Sequence, residues 1–75
     1  MTINDFKTGT QIKIVNVSHI RQGDMLWSDG DIVEIKAVEI GNEEGATRVD
    51  VWDKEKFLSE YIYPDEFKGI KLVKG

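Results

Sequence analysis

The chain has 75 residues, no cysteine and a net charge of −4 at pH 7. That length suits one domain with a small core and modest stability, and 40% hydrophobic residues exclude wholesale disorder. The absence of cysteine excludes disulfides, thiolate metal sites and cysteine nucleophiles, and points to a reducing cytoplasm.

In chain order, "MTINDFKTGTQ" has no apolar h-region, so no signal peptide is expected, and no apolar run is long enough to span a membrane. Residues 1–10 read as a polar lead-in to a single domain that occupies 11–74. "QIKIVNVS" (11–18) is β-branched enough to be a strand. Its apolar residues change phase between Ile14 and Val15, which suggests a bulge or burial on both sides. "HIRQGD" (19–24) reads as a turn, "MLW" (25–27) as a short strand and "SDGD" (28–31) as an Asp-Gly hairpin turn.

"IVEIKAVEI" (32–40) has the strongest strand pattern. Val33, Ile35 and Ala37 alternate with Glu34 and Lys36, then Val38 and Ile40 take the other phase, as if the strand bulges near residue 37. "GNEEG" (41–45) is a loop. "ATRVDVW" (46–52) is a strand with Val49 and Val51 inward and Arg48, Asp50 and Trp52 outward. "DKEKFLSEYIYP" (53–64) has two readings. As a helix, Asp53 caps it, Pro64 stops it and Phe57, Leu58, Tyr61 and Ile62 share a face. As a strand, the preferred reading, Phe57, Ser59, Tyr61 and Tyr63 share one face. "PDEFKG" (64–69) reads as a turn or a 3-10 turn and "IKLVK" (70–74) as the final strand. Five to six short strands with turns every eight to twelve residues indicate an all-β fold, a small antiparallel barrel or sandwich.

Two segments resemble SH3-like barrels. "IRQGDMLW" is similar to their diverging turn, and "YIYPDEFKGIKLV" to the strand, proline, 3-10 turn and last strand that end such domains. Similar strings occur in translation-factor and transcription-factor barrels, intein-like β domains and small phage proteins. The resemblance implies a small antiparallel SH3-like barrel with one 3-10 turn. It loosely places Trp52, Pro64 and Phe67 at three groove positions. The first strand, "QIKIVNV", has none of the tyrosines of the peptide-binding members. The resemblance speaks to fold and gives little about function.

Catalysis is not expected, and neither is a metal or cofactor. A calcium loop needs acids at alternating positions around a central glycine and a later glutamate. In "SDGDIVE" the glycine separates the first two acids and a strand begins at once. Asp29 and Asp31 therefore read as turn residues, and Asp24 after Gly23 likewise. His19 is the only histidine and reads as a surface residue at a strand end. "GNEEG" is acidic and unsuited to phosphate.

Charge is unevenly spread. Residues 29–66 hold twelve acids against four bases, and the remainder holds six bases against two acids. Acidic strands paired with basic ones would serve solubility and register. The leading functional expectation is a non-catalytic protein-interaction module with Trp52, Asp50, Tyr61, Tyr63, Pro64 and Phe67 as its contact residues, since Trp and Tyr dominate hot spots. Trp52 has an alternative role as a roof over one open end of the core. The size and acidity suit a phage or mobile-element accessory protein that binds a host factor. The runner-up is a nucleic-acid-associated barrel using Lys13, Lys68, Lys71 and Lys74 on paired terminal strands. The third is a structural subunit of an assembly.

Overall fold

The computed structural model describes residues 1–20 and 27–73. The expected turn at Gln22–Asp24 and most of the expected strand at 25–27 lie outside the described residues. Five strands form one antiparallel sheet: β1 (Gln11–Ile14), β2 (Ile32–Glu39), β3 (Arg48–Asp53), β4 (Leu58–Ile62) and β5 (Ile70–Leu72), in the order β4-β3-β2-β1-β5. Among the described residues three short 3-10 turns accompany them, at Ile3–Asp5, Val17–His19 and Pro64–Gly69, where one was expected.

The all-β expectation holds. Among the described residues β4 and β5 do not pair, so the sheet is not closed and a barrel is not established. Within β2, Glu34 pairs with Gln11 of β1 on one side and Trp52 of β3 on the other. The β2–β3 register then shifts between Ile35 and Ala37, where the phase change placed a bulge. Such an extra residue bends the strand. One half of β2 thus serves β1, and the whole strand curves as it serves β3.

Alternation supplies the core. Ile12, Ile14, Val33, Ile35, Val49, Val51 and Ile62 all point to the inner face and are at most 2% exposed. Fully burying a side chain of this kind is worth about 1.5–3 kcal/mol. Trp27, Ile20 and Ile70 join the same cluster.

The lead-in contributes to it as well. Phe6 is buried, and its ring centroid lies 4.6 Å from that of Phe67. Gly9 N–H donates to Ile35 O, and Ile35 N–H donates to Thr10 O, which docks the lead-in on β2.

β1 is shorter than the expected 11–18. Beyond Ile14 the amides of Val15 and Asn16 both donate to Gly69 O. Asn16 Oδ1 then accepts from Ser18 N–H and opens the Val17–His19 turn. The phase change at Ile14–Val15 marks the end of a strand, not a bulge, because Gly69 O takes the next two amides and Asn16 then opens a 3-10 turn.

The segment 53–63 is a turn and a strand. Asp53 Oδ1 accepts from Glu55 N–H and Lys56 N–H, so it caps a tight turn at 54–57 and β4 begins only at Leu58. The Pro64–Gly69 turn forms where expected. Glu66 Oε1 accepts from Tyr63 N–H at its start. No helix among the described residues is long and apolar enough to cross a membrane.

Candidate functional site

The acidic turn before β2 has structural partners. Asp31 N–H donates to Ser28 O, closing a four-residue turn, and Asp31 Oδ2 accepts from Ser28 N–H at 2.9 Å. Gly30 has φ 95° at the third position, and Asp29 does not share the left-handed conformation. The turn is therefore not the mirror-image hairpin type that the Asp-Gly pair suggests. Asp29 Oδ1 accepts from Val17 N–H at 2.8 Å, tying this turn to the 3-10 turn after β1. Both carboxylates hold backbone donors in place. Among the described residues no three His, Asp or Glu side chains cluster closely enough to hold a metal ion.

The outer face of β2, β3 and β4 collects most of the expected contact residues. Trp52 pairs with Glu34 and Ser59, and Asp50 with Ala37 and Tyr61. Trp52 lies half-buried on this outer face and takes no part in the inner core. Its Nε1–H donates to Glu34 Oε2 at 2.9 Å, and Lys54 Nζ sits 3.2 Å from the same oxygen. That bond, with the lysine second, holds the Glu34 carboxyl below the usual carboxylate range.

One register step on, Arg48 Nε–H donates to Glu39 Oε2 at 2.6 Å, and Arg48 Nη1–H donates to Tyr63 OH at 3.4 Å. The guanidinium lies over the Tyr61 ring. The pairing lowers the Glu39 pKa and raises that of Arg48. Asp50 differs. Burial pushes its pKa up, the Glu39 charge adds to this, and Lys36 and Arg48 oppose it. The rings of Trp52 and Tyr61 are thus each tethered by a partner, with the half-buried Asp50 opposite Tyr61 and two positions from Trp52 on β3.

Pro64 is exposed at the first position of its 3-10 turn, just after Tyr63. Phe67 is the exception. It is 4% exposed and packs on Phe6, so its ring is core and unavailable to a partner. The inward phase of the 3-10 turn decides this, and no strand alternation could reveal it.

The basic residues divide. Lys13 of β1 and Lys71 of β5 are directly opposite each other and exposed. With Ile32, Leu72 and Val73 they line one hollow. Lys68 lies elsewhere, beside Ser18, His19 and Asp65. Lys74 is outside the described residues. His19 is exposed on the Val17–His19 turn.

One residue escaped the sequence reading as a surface feature. Phe57 sits in the β3–β4 turn at φ 54° and is 82% exposed. The available signal was the absence of glycine in "DKEKF", which obliges another residue to adopt the left-handed conformation that ends such a turn. Lys56, the chain neighbour of Phe57, lines a groove together with Asp31, Ile32, Trp52, Lys54 and Glu55. Compared with known proteins, the chain matches no family model, no curated protein and no solved structure.

Proposed function

We propose that this chain is a non-catalytic protein-interaction module of SH3-like architecture that works in a reducing cytoplasm. The strand order, a central strand bent at a bulge and a 3-10 turn before the last strand support the architectural part. The observation that carries the functional part is the outer face of β3 and β4. There Trp52, Asp50 and Tyr61 lie together, with Tyr63 beside them, and the rings of Trp52 and Tyr61 are already ordered by Glu34 and Arg48. Aromatic groups fixed before binding lose little conformational entropy on docking. Pro64 extends the face; Phe67 supports it from the core.

The test is an affinity capture at moderate salt with nuclease present, comparing the wild type with a folded Trp52→Ala. A stoichiometric protein that is captured by the wild type and lost with the variant supports the reading. Capture that is indifferent to residue 52 sinks it.

A second reading rests on Lys13 and Lys71. Like charges placed directly opposite on a sheet repel, and a phosphate backbone across them would relieve that repulsion. Affinity for DNA or RNA that falls steeply with salt and is lost in Lys13→Ala/Lys71→Ala would favour this alternative.

A further inference from the structure

Phe57 is the most exposed large hydrophobic residue among those described, and its backbone is in the left-handed region. A side chain with a Cβ is disfavoured there, and glycine or asparagine would suit the position better. The ring repays nothing to the fold, since it is 82% exposed. An aromatic at an unfavourable backbone position and so largely exposed is available to a partner outside the chain.

Its surroundings indicate what that partner is. Phe57 follows directly on Lys54–Lys56, which rim the groove beside Trp52. In the groove itself Ile32 is half-exposed and supplies apolar surface together with Trp52. Four carboxylates line the groove (Asp31, Glu34, Asp53 and Glu55) against two ammonium groups, those of Lys54 and Lys56. Lys54 is already paired with Glu34, and Lys56 lies 4.0 Å from Asp31. The Asp53 carboxylate is committed to the turn. Glu55 stands exposed at the rim. The groove thus combines apolar walls with a net negative edge.

We propose that the β3–β4 turn is a docking element, with Phe57 as its anchor and a basic polypeptide segment bearing apolar side chains as its partner. The apolar residues of that segment pack on Phe57, Ile32 and the edge of Trp52, and its lysines or arginines face Glu55 and Asp31. This inference rests on the interaction-module reading and moves the centre of contact from the middle of the sheet to its hairpin end.

The probe is a synthetic octapeptide of alternating lysine and leucine, with a glutamate–leucine octapeptide as control. Binding is followed by fluorescence polarisation of the labelled peptides. Saturable binding of the lysine peptide alone is expected. Phe57→Asn removes the ring at a position asparagine tolerates, so its melting temperature should equal or exceed the wild type's while affinity falls about tenfold or more. Glu55→Lys should weaken binding with the fold retained. No saturable binding by the wild type, equal binding of both peptides, or undiminished affinity in Phe57→Asn would overturn the proposal. If Trp52→Ala abolishes capture of a natural partner while Phe57→Asn and Glu55→Lys leave it intact, the interaction-module reading stands and the hairpin inference alone fails.

Discussion

The Arg48 guanidinium lies 3.7 Å from the centroid of the Tyr61 ring while its Nε–H donates to Glu39. One side chain of β3 thereby links β2 to β4 across the outer face, through a planar group that stacks and donates at once. Lysine carries the same charge without the plane. Arg48→Lys should therefore lower the urea midpoint of unfolding, through a lost stack and a weakened charged hydrogen bond. Arg48→Ala should cost more, because Glu39 would lose its partner. Equal stability of Arg48→Lys and wild type would show the stack to be idle.

Phe67 was expected at a contact surface and lies in the core against Phe6. Phe67→Ala should cost about 3–5 kcal/mol. For a domain of this size that approaches the whole stability. Circular dichroism should show a largely unfolded chain, whereas a surface role would leave the melting curve unchanged.

Glu34 and Glu39 are held below the ordinary carboxylate range, chiefly by Trp52 and by Arg48 respectively. The folded state binds fewer protons at these sites than the unfolded chain. Their stabilisation is present above the unfolded glutamate value and is lost as pH falls through the lowered folded values. Asp50 runs the other way. Its pKa is raised by burial, so its ionised form subtracts stability at neutral pH, and that loss fades as pH falls through the raised value. Urea titrations at about pH 7 and about pH 3 should show Glu34→Gln and Glu39→Gln more destabilising at the higher pH than at the lower, and Asp50→Asn more stabilising there. A destabilised Asp50→Asn at neutral pH would contradict this assignment.

Gly69 is needed for space. A Cβ at this position would lie 2.7 Å from the backbone oxygen of Asn16 and 2.9 Å from Ile20 Cγ1. The carbonyl cannot swing away as a side chain can, because Asn16 O accepts from His19 N–H. Gly69→Ala should lower stability by about 1–3 kcal/mol. A chevron or melting curve indistinguishable from wild type would mean that the Pro64–Gly69 turn can shift freely against the Val17–His19 turn.

Asp29 binds a backbone amide twelve positions earlier in the chain, that of Val17. Asp29→Ala should cost about 1 kcal/mol, since it leaves that donor without its partner. The loss should be the same with and without calcium. A calcium-dependent gap between the two proteins would return the carboxylates to a metal role.

Local order was legible in the residues because it depends on neighbours in the chain. The alternation of Val33 and Ile35, then of Val49 and Val51, announces strands and their inner faces through the two-residue period of the pleat. The phase change near residue 37 signals the bulge, which the register shift between Ile35 and Ala37 shows, for the same reason. Pro64 and its acidic successors announce the 3-10 turn. These patterns also place Trp52, Asp50 and Tyr61 on one outward face, because β3 and β4 are joined by a short turn.

What one distant segment offers another could be decided only by the tertiary structure. β1 ends at Ile14 because Gly69 O captures the next two amides. Phe6 is core because Phe67 comes to meet it, and Lys13 faces Lys71 because β5 returns beside β1. Each outcome depends on competition for a backbone donor or a packing site between residues far apart in sequence, and the period of a single strand carries no record of its partner.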